Sequence, residues 1–162
     1  MNPRYKKQLE KARTLIAELN PLEALTAVVE LLATNPKFDW VGIYFLEGEV
    51  LKLGPYIGEE TEHQSIKVGQ GVCGTAVLLN ENQVIEDVNE LDNYIACSPF
   101  TRSEIVVLIK DEAGNILAQF DLDSDGKGVF GGEEEDFLEN LAEIVYPATK
   151  KYLLSTKQHS SR

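Results

Sequence analysis

Trp40-Val41-Gly42-Ile43-Tyr44-Phe45-Leu46 is followed by Glu47-Gly48-Glu49 and then by Val50-Leu51-Lys52-Leu53. β-Branched and aromatic side chains, which crowd a helix but suit a pleated surface, fill both arms. The short glycine-bearing break between the arms predicts a β-hairpin. The pattern recurs further on. Ile105 to Ile109 and Ile116 to Leu122 flank Asp111-Glu112-Ala113-Gly114-Asn115, a run of turn formers that closes a second hairpin. Between the two pairs, Ser65 to Val68 and Val84 to Glu86 read as short strands, and Thr75 to Leu79 as a short helix after a glycine-rich turn.

Helical periodicity lies outside this β-rich centre. Leu9, Ala12, Leu15, Ile16 and Leu19 share one face of an amphipathic helix. Asn20-Pro21 supplies an N-cap and a first-turn proline for a second helix, through Leu22, Leu25, Val28, Val29 and Leu32, that ends near Asn35-Pro36. Phe137, Leu138, Leu141, Ile144 and Val145 recur at the same spacing, and Leu153 and Leu154 extend that pattern past Pro147. The expected organisation is one domain over 1–155, with helices in 4–34, a sheet core in 38–124, a helix over 132–154 and a frayed tail over 156–162. Hairpins between terminal helices give an α+β class, an antiparallel sheet covered by helices.

With 162 residues, 43% of them hydrophobic, the chain can bury one proper core. Its 27 acidic and 15 basic residues give a formal charge of −12, a field that argues against nucleic acid and anionic membrane as partners. No apolar run approaches the length of a membrane span, and the basic start, Met1 to Lys7, has no apolar stretch behind it, so a cytoplasmic protein is expected. Two cysteines without a C-x-x-C pattern argue against structural zinc.

The chemistry-bearing residues are few. Cys97, on the loop from Asn89 to Phe100, precedes the Glu104-bearing strand by seven positions, offering a nucleophile and a proton source together and pointing to redox chemistry at sulfur. Cys73 lies in Gly69-Gln70-Gly71-Val72-Cys73-Gly74, a loop whose amides suit a carboxylate. That loop matches the dinucleotide fingerprint literally, but hairpins rather than a parallel βαβ unit surround it. Asp121-x-Asp123-x-Asp125-Gly126 begins like a calcium loop, but the glutamate arrives one position late, at Glu133, and the entering segment has a strand pattern rather than a helical one. Asp121 and Asp123 instead project from one strand face, and with Glu104 they form a negative pocket suited to an ammonium group. Trp40 and Tyr44 share a face, with Gly42 between them leaving it open; they read as core packing or as a wall for a small apolar group. His63 and His159 have no partner at ligand spacing, and no metal ligand set is assigned.

Six segments resemble, in order, the free methionine-(R)-sulfoxide reductases, a GAF-domain family. They are Trp40 to Tyr44, Leu53-Gly54-Pro55-Tyr56-x-Gly58, Gly69 to Ala76, Ile95-Ala96-Cys97, Ser103 to Val106 and Asp121 to Ser124. The resemblance implies a GAF-like fold, with a central antiparallel sheet of about six strands, and a homodimer. It implies catalytic roles for Cys97, as the attacking thiol, and for Cys73 and Glu104. Substrate-binding roles follow for Trp40, Tyr44, Asp121 and Asp123. The implied reaction reduces free methionine-(R)-sulfoxide through a cysteine sulfenic acid and a disulfide, with no cofactor and with electrons from thioredoxin or another thiol. One position departs from the family pattern: His63 stands where a further cysteine, the usual resolving thiol, is expected. The alternative is a noncatalytic GAF sensor that binds a small ligand in the same cavity and needs neither thiol.

Overall fold

A computed structural model describes residues 1–91 and 100–160, for 158–160 the backbone alone. α1 (Pro3–Glu18) and α2 (Pro21–Ala33) start alike: an asparagine side chain accepts a backbone N–H of the first turn, Asn2 from Arg4 and Asn20 from Glu23, and a proline follows each cap. The strands are β1 (Trp40–Glu47), β2 (Val50–Ile57), β3 (Ser65–Lys67), β4 (Gln83–Ile85), β5 (Ser103–Lys110) and β6 (Ile116–Ser124), with α3 (Gly71–Leu79) between β3 and β4 and α4 (Gly132–Ser160) last. They form one antiparallel sheet ordered β3-β2-β1-β6-β5-β4. This is the expected α+β architecture of six strands and flanking helices.

The sheet's two faces differ in chemistry. On one, Val41, Ile43, Phe45, Ile105, Val107, Ile109, Phe120 and Leu122 pack against α1, α2 and α4 in the main core. On the other, Trp40, Tyr44, Leu51, Val106 and Leu108 meet α3 through Val72, Cys73 and Ala76 in a smaller cluster. Period-2 alternation sends Glu104, Asp121 and Asp123 to this second face. No described helix is long and apolar enough to cross a membrane.

Three elements run further than their sequence signals suggest. β2 continues through Gly54-Pro55 because the pairing with β1 is irregular between Gly42 and Tyr44, and a proline without an N–H is tolerated at such a bulge. α3 begins at Gly71, four residues before the predicted start. Gly69 and Gly71 turn the chain with φ of +94° and +60°, and Gly74 lies against the Lys67 carbonyl, so the glycines form a tight entry to a helix that includes Cys73. α4 passes Pro147, which is exposed and leaves the Glu143 carbonyl on the water-facing side, and remains helical over 155–160. Tyr152, packed on Phe45, anchors that end, and the Ser155 and Thr156 hydroxyls return to the Tyr152 and Leu153 carbonyls.

Candidate active site

Cross-strand pairing sets the acids out in rows. Trp40 on β1 faces Asp123 on β6, which faces Glu104 on β5; one row on, Gly42, Asp121 and Val106 are partners. The next row aligns Tyr44, Gln119 and Leu108. Three buried carboxylates, a tryptophan and a tyrosine therefore share one sheet face, with Glu104, Asp121 and Asp123 each no more than 2% exposed. α3 lies over them. The Cys73 thiol, in its first turn, donates to Asp121 Oδ2 at 3.3 Å, and Gln119 Nε2 donates to the Cys73 carbonyl at 3.1 Å. Cys73 Sγ and one oxygen each of Glu104 and Asp121 lie within 4.8 Å of one another, a group that could share a metal ion. Cys97, the predicted attacking thiol, lies outside the described residues.

The aromatic residues act through both their rings and their polar ends. Trp40 stacks on Tyr56 at 5.5 Å between centroids and lies 6.4 Å from Tyr44. Its ring fills the space above Gly42, so that glycine does not leave the face open; it makes room for the indole, which a Cβ there would strike. Trp40 Nε1 donates to the Glu59 carbonyl at 3.1 Å and the Tyr44 hydroxyl to the His63 carbonyl at 2.9 Å. Two buried rings thereby pin the segment after β2 to the sheet, with His63 half-buried on it.

A cavity of about 190 Å3 opens at the Trp40–Asp123 end of the rows, lined by Asp39, Trp40, Glu59, Phe100, Thr101, Asp123 and Asp125. The turn beside it is tied down: Asp39 Oδ2 accepts from Asp125 N at 2.8 Å and from Ser124 Oγ at 3.4 Å, and Ser103 Oγ donates to the Gly126 carbonyl at 2.6 Å. Partial burial, then the charges of Asp39 and Glu59, raise the Asp125 carboxyl above its ordinary range. A larger cavity, about 640 Å3, lies apart, between the β1–β2 hairpin and the end of α4; it is lined largely by apolar residues and brings no thiol and no acid pair together. Sequence reasoning missed Gln119, Thr101, Ser103 and Asp39. Of these only Gln119 carried a signal, since it shares the strand parity of Asp121 and Asp123.

A GAF-domain family model matches residues 20–146, and the chain belongs to that family. A free methionine-R-sulfoxide reductase of Escherichia coli is 43% identical over 105 residues, a match that takes in 64% of this chain and 61% of that protein. The type II free methionine-R-sulfoxide reductase structure from Thermoplasma acidophilum superimposes with a TM-score of 0.75 at 37% identity, covering 89% of this chain and 96% of that one. The free methionine-R-sulfoxide reductase of Neisseria meningitidis, solved in complex with its substrate, gives a TM-score of 0.84 at 28% identity, covering 91% of each chain. Within the GAF domains, the chain falls in the free methionine-R-sulfoxide reductase family.

Proposed function

We propose that this protein reduces free methionine-(R)-sulfoxide to methionine. One observation carries the reading: Glu104, Asp121 and Asp123 converge on the face that also holds Trp40, with a thiol donating to Asp121 at 3.3 Å. In this mechanism the Cys97 thiolate attacks the sulfoxide sulfur while Glu104, buried beside the other two carboxylates, gives a proton to the departing oxygen. The S–O bond breaks as an S–S bond forms between Cys97 and the methionine sulfur. The released hydroxide then attacks the Cys97 sulfur, that S–S bond breaks, methionine leaves with its electron pair, and Cys97 becomes a sulfenic acid, oxidised by two electrons. Cys73 then condenses with it: its proton passes through Asp121 to the leaving hydroxyl, the S–O bond breaks as an S–S bond forms, and the oxygen departs as water. Thioredoxin, or another thiol, returns the disulfide to two thiols, so no organic cofactor or metal is required. A homodimer working in the cytoplasm completes the reading.

His63 in place of a cysteine makes Cys73 the resolving thiol of this chain. The test follows NADPH consumption with thioredoxin and thioredoxin reductase on the resolved R and S epimers, beside a dithiothreitol-driven assay. R-selective turnover with thioredoxin is the expected result. Activity with dithiothreitol alone would remove Cys73 as resolver, and silence in both assays would leave the pocket to a ligand-sensing role.

A further inference from the structure

Three separate elements bring metal-ligating atoms together around Cys73. The thiol comes from the first turn of α3, Glu104 from β5 and Asp121 from β6. Asp121 pairs with Val106 and Glu104 with Asp123, so the two acids are diagonal neighbours on one sheet face. The sulfur and one oxygen of each acid lie within 4.8 Å of one another, and Cys73 Sγ is 3.3 Å from Asp121 Oδ2. Adjacent ligand atoms of a tetrahedral zinc ion stand about 3.5 Å apart, given bonds of about 2.3 Å to sulfur and about 2.1 Å to oxygen. The supporting backbone is fixed: β5 and β6 are interior strands, and Gly74 lies against the Lys67 carbonyl. Gln119 supplies an independent sign of a ligand. It is fully buried, its Nε2 donates to the Cys73 carbonyl at 3.1 Å, and Oε1 of the same amide has no hydrogen-bond partner among the described residues. An acceptor buried in that state beside the group calls for a donor from outside the chain.

We propose that Cys73, Glu104 and Asp121 form an inhibitory zinc site, in which one bound ion withdraws the resolving thiol and the proton donor together. The site itself stands on this geometry, while its effect on turnover rests on the reductase reading. A thiolate suits zinc and is a poor ligand for calcium or magnesium, which take oxygen, so the mixed donor set selects the ion. A doubly charged cation also offsets the charge that a thiolate and two carboxylates bring into a space where none of the three residues is more than 4% exposed. Three protein ligands leave a fourth position for water, and Gln119 Oε1 is the acceptor for that water's hydrogen. On binding, the Cys73 S–H bond breaks, its proton passes to solvent and a Zn–S bond forms, with no change of oxidation state. The path by which a sulfoxide reaches Glu104 serves the ion as well. A zinc-bound Cys73 cannot condense with a Cys97 sulfenic acid, and a zinc-bound Glu104 has no proton to give. Oxidation of Cys73 to the disulfide, conversely, removes the sulfur ligand and releases the ion.

The experiment loads the reduced, metal-free full chain with zinc, reading affinity by competition with a chromophoric chelator, and with cobalt, whose charge-transfer absorption reports a thiolate ligand. The expected result is one ion per chain, with zinc held at least about a hundredfold more tightly than calcium or magnesium. Cys73→Ser abolishes the cobalt-thiolate band and Cys97→Ser keeps it, while Asp121→Asn and Gln119→Leu each weaken zinc by roughly tenfold or more. Asp121→Asn carries the test if Cys73→Ser does not fold. A band that survives in Cys73→Ser or vanishes in Cys97→Ser, or a zinc affinity unchanged in Asp121→Asn, overturns the site. Its effect is read by single-turnover methionine release from reduced protein: the zinc-loaded form is expected to be roughly a hundredfold slower, and a chelator restores the rate. Equal rates with and without zinc overturn the inhibitory role. If the metal-free protein releases no methionine, the reductase reading falls, and the cobalt band still decides the site.

Discussion

One added methyl group at Gly42 tests how the site is held together. An alanine Cβ there would run into the Trp40 ring, and the backbone is central, paired with β2 on one side and β6 on the other, so it cannot move aside. The ring must give way instead. It is 1% exposed, stacked on Tyr56, and holds the Glu59 carbonyl through Nε1 at 3.1 Å. Overpacking of this kind costs about 1–3 kcal/mol, and loss of the indole hydrogen bond adds about 1 kcal/mol. Gly42→Ala is therefore expected to lose about 2–4 kcal/mol, a fall in Tm of about 5–12 °C for a chain of this size. Trp40 is the one tryptophan of the sequence, so its emission reports the displacement directly. Gly132→Ala is the control, since a Cβ there meets nothing within 4 Å. A Gly42→Ala protein that melts within about 1 kcal/mol of wild type, with unchanged emission, would refute the packing argument.

Cys97→Ser is expected to abolish turnover, whereas Cys73→Ser completes one reduction per protein and stops with thioredoxin; single-turnover methionine release separates the two. Gln119→Leu removes a buried donor to the Cys73 carbonyl at 3.1 Å and is expected to cost about 1–2 kcal/mol in urea unfolding, with resolution by Cys73 slowed more than the first step. Asp87 and Asp125 carry opposite pH signatures. The Asn89 backbone N–H first, and then Arg102, hold Asp87 below the ordinary carboxyl range, so its contribution is present at neutral pH and disappears as pH falls through its lowered folded-state pKa. Asp87→Asn should therefore destabilise at pH 7 and converge with wild type in acid. The Asp125 carboxyl is raised, so its ionised form opposes folding at neutral pH; Asp125→Asn should stabilise slightly at pH 7 and lose that advantage as pH falls through the raised value. Urea midpoints followed from pH 7 downward check both signs.

The legible part of this site is what strand periodicity can carry. Asp121 and Asp123 sit two apart, Trp40 and Tyr44 four apart, and each pair had to share a face whatever the fold. Periodicity does not say which faces meet. That Asp123 lies between Trp40 and Glu104 follows from β6 lying between β1 and β5, and the β1–β6 pairing joins residues roughly 70 to 80 positions apart in sequence. The same limit explains Gly42: spacing marked a gap on the tryptophan face, but only the packed structure shows the gap filled by Trp40 itself. Thr101 and Asp39 lie further still from sequence reasoning, because each sits just before a strand, where period-2 alternation has not begun and a side chain's direction is set by the turn it leaves. With Asp125 they line one cavity at a junction of three strand ends: the approach to β1, the approach to β5 and the exit from β6. Groups on strand interiors are therefore read from sequence more readily than groups at strand ends. The carboxylates and rings at alternating positions are visible first, and the lining of the cavity only once long-range pairing brings the ends together.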